Sequence, residues 1–369
     1  MNRPHHFSAG PAVLPLEVLK KAQAEFLTFA DTGLSVLEIS HRSAAFDQVI
    51  EQAETRLRDL LAIPSDYHVL FLQGGASLQF AMLAMNFLHR HAAYVDGGSW
   101  SKKALQEAQK LQQVYPGLQV DTLWSGKDEG YSFLPDEQLW QQLQTSIDPN
   151  LDYIHTISNE TIQGIALQAD PESSVPLFCD MSSDILSRPV YVGAYDLIYA
   201  GAQKNMGPAG VTVVILKDRL LSKIRDNVPT MLDYRTHVEK KSLYNTPPVF
   251  SIYMLNLVME WLQEQGGLSA MYTRNQRQAQ AIYEVLDAHP DFYRGHARPG
   301  SRSLMNITFT LPETELEQRF LVEAGQHQLM SLKGHRSVGG IRASIYNACP
   351  DASVEALVDF MRAFHRQNA

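Results

Sequence analysis

One lysine in this 369-residue chain has the surroundings that amine chemistry requires. In Asp196-Leu-Ile-Tyr-Ala-Gly-Ala-Gln-Lys204-Asn-Met-Gly-Pro-Ala-Gly210 an apolar strand runs into Lys204, and a Gly/Pro-rich turn leads on to a second apolar strand, Val211 to Leu216. The lysine is thereby expected at a sheet edge beside sheltered backbone. Partial desolvation disfavours the ammonium and lowers its pKa, which is what a Schiff-base amine requires. By itself the pattern fits a surface lysine on a connecting turn equally well. A second element tips the balance: Val175-Pro-Leu-Phe-Cys-Asp180 ends an apolar run in a carboxylate, at the C-terminal end of a strand, where open α/β sheets bind ligands.

A carboxylate there and a lysine one strand later are placed to face each other across a flat heterocycle. Pyridoxal phosphate needs that pair, a lysine for its aldehyde and an anion that keeps its ring nitrogen protonated. Alone, Asp180 reads more simply as a helix N-cap before Met181-Ser-Ser. The third element is Gln73-Gly-Gly-Ala-Ser77, between the strand Tyr67 to Leu72 and a helix from Leu78. Its glycines let the backbone approach an anion, and free N–H groups at a helix start attract phosphate. It matches neither a Walker sequence nor G-x-G-x-x-G, which weakens nucleotide readings.

The elements that must position these groups alternate along the chain. Strand-length apolar runs at Tyr67 to Leu72, Ala92 to Asp96, Leu118 to Trp124, Tyr153 to Ser158, Val175 to Asp180, Asp196 to Gly201 and Val211 to Leu216 predict a mostly parallel α/β sheet. Ser77 to Arg90, Ser101 to Gln113 and Pro135 to Ile147 carry apolar residues at helical spacing between them, and Pro15 to Ala30 and Ala45 to Leu61 predict helices before the sheet. Past Phe250 long helices (Ser251 to Gln265, Leu268 to Ala288, Glu313 to Met330, Ala352 to Arg366) enclose two short strands, Leu304 to Thr310 and Gly339 to Tyr346. We expect a large α/β domain over 16–265 and a smaller α+β domain over 266–369 that takes in 1–15, hinged near Gly266-Gly267.

Composition narrows the function. With 45% hydrophobic and 19% charged residues the chain can bury a sizeable core. A net charge of −9 without a basic block argues against nucleic-acid or membrane-surface partners. No apolar run reaches spanning length and the first ten residues hold no signal-like stretch, so the cytoplasm is the expected compartment. Cys179 and Cys349 lie far apart, and the thirteen histidines are scattered, so neither a disulfide scaffold nor a metal site is expected.

The segments Phe7-Ser-Ala-Gly-Pro-Ala12, Ser40-His-Arg42, Gly74-Gly-Ala-Ser77, Ser158-Asn-Glu-Thr-Ile162, Ala200-Gly-Ala-Gln-Lys-Asn205, Tyr244-Asn-Thr-Pro-Pro248, Lys333-Gly-His-Arg336 and Arg342-Ala-Ser-Ile-Tyr-Asn347 together resemble the family of phosphoserine aminotransferases, class V enzymes of fold type I that use pyridoxal phosphate. The resemblance runs from near residue 7 to about residue 366 in the family's order. It implies that Lys204 bonds the cofactor aldehyde, Asp180 pairs with the ring nitrogen, and Gln203 lies beside the cofactor. It further implies that the Ala76-Ser77 backbone and the Ser77 hydroxyl hold the phosphate, with Asn245 and Thr246 reaching over from a neighbouring subunit of a homodimer. Trp100 would stack on the ring, and Thr161 would bond near its phenolic oxygen. On the substrate side, Arg342 would clamp the α-carboxylate, while His41, Arg42, His335 and Arg336 would receive a phosphate or a distal carboxylate. The chain departs from the family at Ala9, where members often carry a serine, and in the Gly-Gly-Ala-Ser loop, where others have Gly-Arg.

The implied activity is transfer of the amino group of L-glutamate to 3-phosphohydroxypyruvate, giving O-phospho-L-serine and 2-oxoglutarate. Amination of the related four-carbon phosphorylated oxo acid of vitamin B6 synthesis, giving 4-phosphohydroxy-L-threonine, is a further expectation, because a pocket discriminates weakly against one small added group. Two alternatives stand beside these: cysteine desulfuration, for which Cys349 in Asn-Ala-Cys-Pro-Asp is the loop candidate, and a non-catalytic binding protein on the same fold.

Overall fold

The computed structural model describes residues 3–369. The apolar runs form a seven-stranded sheet in the order Tyr67–Leu72, Thr212–Lys217, Leu197–Gly201, Leu177–Asp180, Tyr153–Ile157, His91–Asp96, Gln119–Ser125. Strand Thr212–Lys217 is antiparallel to both neighbours, and every other pairing is parallel. The short stretch between Gly201 and Thr212 cannot hold a crossover helix, so the chain must double back there. Lys204 lies in that return.

Both faces of the sheet are covered, as a largely parallel sheet requires. Alternate residues point to opposite faces. Val69, Phe71, Ala93, Ile154, Cys179, Ile198, Val213 and Ile215 pack under helices Ala44–Leu61 and Val249–Glu264. Leu70, Leu72, Tyr94, Tyr153, Phe178, Tyr199, Val214 and Leu216 pack under helices Gly75–Phe87 and Ser99–Val114.

A separate apolar core gathers Phe7 with residues from helices Gly267–Ala288, Thr314–Gln326 and Asp351–Asn368, around a three-stranded antiparallel sheet of Arg294–Gly295, Asn306–Thr310 and Ile341–Ser344. Gly266 and Gly267, at φ +92° and +72°, separate helix Val249–Glu264 from helix Gly267–Ala288. Among the described residues no helix is long and apolar enough to cross a membrane.

Two helices stop four or more residues short of where their sequence predicts. The first covers Leu16–Ala24 rather than continuing to Ala30. Glu25 is drawn away to accept a 2.6 Å hydrogen bond from the Tyr253 hydroxyl, and Ala30 and Asp31 take positive φ in a turn that Thr32 Oγ1 braces by donating to the Phe29 carbonyl. The helix expected to reach Met330 ends at Gln326, because Leu329–Met330 pairs in parallel with His5–His6.

Candidate active site

Strand ends converge on Lys204. Asp180 is the last residue of its strand and only 4% exposed. Its Oδ1 accepts from the Ser182 amide at 2.8 Å and the Ser182 hydroxyl at 2.6 Å. Ser182 Oγ also accepts from the Gly201 amide at 3.0 Å, which ties the carboxylate to the strand that leads into the lysine. Lys204 Nζ donates to Thr161 Oγ1 at 2.6 Å and to Ser183 Oγ at 2.9 Å. Burial lowers the Lys204 pKa, while the charges of Asp180 and Glu160 oppose the fall. Burial likewise raises Asp180, and the lysine's charge draws it back. Lysine and carboxylate therefore share one desolvated cleft.

Around that cleft the structure brings together most of the cofactor candidates. The Trp100 ring centroid lies 5.6 Å from Lys204 Nζ, and the indole Nε1 is buried without a hydrogen-bond partner. Thr161 is 3% exposed and holds the lysine directly. Gln203 lies half-buried beside Lys204, its carbonyl accepting from the Ala12 amide at 2.9 Å. The amino-terminal segment crosses the lysine: a side chain at Gly10 would begin 3.5 Å from Lys204 Cγ, and the Ala9 carbonyl accepts from Tyr346 at 2.9 Å. Ala76 and Ser77 lie in the first turn of helix Gly75–Phe87, whose N-cap, Gly74 at φ +91°, supplies no capping side chain. The first-turn amides of that helix are thus free to receive an anion. Amine, buried carboxylate, flat indole and uncapped helix start suit pyridoxal phosphate.

The cationic candidates divide. Arg342, on strand Ile341–Ser344, is half-buried and forms no ion pair among the described residues. Its charge acts on Lys204 and on His335. Burial and the cations Arg342, Lys103 and Arg336 push His335 below the ordinary imidazole range, so three cations surround a neutral imidazole at one electropositive corner. Among the described residues no hydrogen bond brings His41 or Arg42 to Lys204 or Arg342; His41 Nε2 is buried without a partner among them, and Arg42 is exposed. Asn245 and Thr246 are exposed, and the Thr246 carbonyl accepts from Gln73 Nε2 at 3.0 Å at the edge of the glycine loop of the same chain.

Asparagines join the two halves of the site. Asn205, next to Lys204, donates to the Ile185 carbonyl at 2.7 Å and accepts from the Asn347 amide at 2.9 Å. Asn347 in turn bonds the Leu186 carbonyl and receives Asn275. The spacing of Lys204 and Arg342 is set by this stitch. Beneath it, Asp184 accepts from Ser158 Oγ, and burial, ahead of the opposing pull of Arg188 and Ser158, raises its pKa to about 6. A carboxyl raised on folding stabilises the fold fully below its unfolded pKa and loses that contribution as pH rises through 6. The wild type should therefore lose about 2 kcal/mol of unfolding free energy between pH 4 and pH 7 relative to Asp184→Asn. Urea unfolding of both proteins across that range checks it, and a pH-independent difference would refute it.

Sequence reasoning missed Ser182, Ser183, Glu160 and Lys103. The serines were visible only as a possible helix start. Lys103 Nζ sits 4.0 Å from the Trp100 ring centroid, one helical turn on from its start, a spacing that could have pointed to it. Cys349 is fully buried and its thiol is pushed up to about 12, which makes it unfit as a mobile nucleophile.

The family described as Aminotransferase class-V matches residues 5–357. A phosphoserine aminotransferase of Geobacillus kaustophilus is 52% identical over 373 residues, covering 100% of both chains. The solved phosphoserine aminotransferase of Bacillus circulans subsp. alkalophilus superposes with a TM-score of 0.94 at 49% identity, covering 100% of this chain and 99% of its own. That of Trichomonas vaginalis with pyridoxal phosphate bound gives 0.91 at 39% identity, over 98% and 100%.

Proposed function

Since the chain belongs to the class V aminotransferases and matches phosphoserine aminotransferases over its full length, we propose that it transfers the amino group of L-glutamate to 3-phosphohydroxypyruvate, giving O-phospho-L-serine and 2-oxoglutarate. It is a pyridoxal-phosphate-dependent aminotransferase. The observation that carries the reading is the Lys204 amine, held by Thr161 and Ser183 in one cleft with the Asp180 carboxylate and the unpaired Arg342.

The cofactor supplies an aldehyde that takes up the amino group and a ring that draws electrons from the substrate α-carbon. Lys204 would hold the aldehyde of the bound cofactor, and its Nζ is the base that would carry the proton leaving the substrate α-carbon. Thr161 and Ser183 keep that nitrogen aimed while it changes protonation. Asp180, its Oδ1 fixed by Ser182, would pair with the ring nitrogen. Ala76, Ser77, Asn245 and Thr246 serve the cofactor phosphate, and Trp100 and Gln203 flank the ring. Arg342 takes the α-carboxylate, and His335, Arg336, His41 and Arg42 take the phosphate or distal carboxylate.

Asn245 and Thr246 come from the neighbouring subunit of a homodimer in this reading. Leu27, Leu34 and Leu37, 80%, 48% and 55% exposed, lie close before His41 and Arg42 in the chain, and such an apolar stretch calls for a covering surface. The two apolar cores support a division into 16–265 and 266–369 with 1–15. The two free buried thiols suit a cytoplasmic setting.

Adding glutamate to the holoenzyme should bleach its visible band, and 3-phosphohydroxypyruvate should restore the band with one equivalent of phosphoserine formed. A band unmoved by glutamate would end the proposal. Comparing kcat/KM with the four-carbon phosphorylated oxo acid measures any second role.

A further inference from the structure

Glu160 is a fully buried carboxylate for which the reaction as described has no use. It reaches the start of helix Ser99–Val114, where it accepts from the Trp100 amide at 3.0 Å and from the Ser101 amide and hydroxyl at 2.8 Å each. Helix starts leave amides without partners and carry partial positive charge, so a carboxylate there is well matched. Burial raises its pKa, and those three donors pull the other way.

The approach is built into the backbone. A Cβ at Gly98 would begin 2.9 Å from Glu160 Cδ and 2.8 Å from Gln163 Oε1, too close for either to stay. Gly98 sits at φ 166°, extended backbone open to any residue, so space rather than conformation calls for glycine. Gln163 extends the brace, accepting from the Ser99 amide at 3.3 Å and donating to Ser99 Oγ at 2.9 Å.

Adjacent residues thus grip the two sides of the cleft. Glu160 holds the backbone of Trp100, and Thr161 holds Lys204 Nζ at 2.6 Å. We propose that Glu160 is a positioning residue for amino transfer: it clamps the helix start so that the Trp100 ring stands at the right separation from the lysine for a flat cofactor. The inference rests on the reading of Lys204 and Trp100 as cofactor contacts.

Two substitutions separate position from charge. Glu160→Gln keeps an oxygen for the Ser101 and Trp100 amides, whereas Glu160→Ala removes the clamp. In Glu160→Ala we expect pyridoxal phosphate to bind about 10- to 100-fold more weakly, from the loss of hydrogen bonds to a charged acceptor. The circular dichroism that the site induces in the cofactor band should shrink, and kcat should fall while KM for glutamate, set at Arg342, holds. Glu160→Gln should restore most of the affinity and the dichroism. Gly98→Ala, which displaces the carboxylate without removing it, should reproduce the losses and serves if Glu160→Ala does not fold. Wild-type cofactor affinity and dichroism in Glu160→Ala or Gly98→Ala, even with a lowered melting temperature, would overturn the proposal. A wild type that fails to react with glutamate would instead overturn the proposed function.

Discussion

Replacing Lys204 with alanine reduces amino transfer by about 10⁴-fold or more, because one side chain supplies both the covalent tether and the proton carrier at the α-carbon. No neighbour is placed to substitute. Thr161 and Ser183, which receive the Lys204 ammonium at 2.6 and 2.9 Å, are hydroxyls without comparable basicity. The fold should survive. Lys204 is a half-buried cation whose charged form is disfavoured by desolvation, so its removal costs the fold little. The expected result is a protein with wild-type melting behaviour, no cofactor fixed covalently to the chain by borohydride reduction, and no phosphoserine formed over many cofactor equivalents. Multiple turnovers within about tenfold of wild type would remove Lys204 from its role.

Asp180→Asn lowers kcat by about 10³-fold, the order found when a preorganised charge partner is removed from a buried site. The substitution is nearly isosteric, and its oxygen can still accept from the Ser182 amide and hydroxyl. What it loses is the negative charge that a protonated ring nitrogen needs. KM for glutamate should change little, because the Arg342 cation and the His335 imidazole are untouched. A second consequence appears without cofactor. The Asp180 charge holds the Lys204 pKa up against burial, so in the variant apoprotein the lysine must titrate lower. Acylation of Lys204 by an amine-directed reagent, followed by mass spectrometry across pH, should show its reactivity rising at lower pH than in the wild-type apoprotein. A profile shifted to higher pH would contradict the assigned coupling.

Several parts of this arrangement were legible before any coordinates. The strand that ends in Asp180, the strand that runs into Lys204 and the Gly74-Gly75 turn are local patterns, each set by a few consecutive residues. Strand periodicity and turn chemistry are encoded at that range. The helix from Leu16 was misjudged for the same reason: its apolar spacing continues past Ala24, and only the distant Tyr253 hydroxyl drawing on Glu25 shows where the helix yields.

By itself the sequence determined a lysine, an acid and an anion-binding turn at the ends of sheet strands, because strand endings follow from where apolar runs stop. Only the tertiary structure decided that Ser183 and Thr161 aim the amine, that Glu160 holds Trp100, and that Asn205 meets Asn347 to bring Arg342 to the cleft. Those contacts join residues from 21 to 142 positions apart. Their geometry depends on strand order and on how the two cores pack, and no short window of sequence contains either.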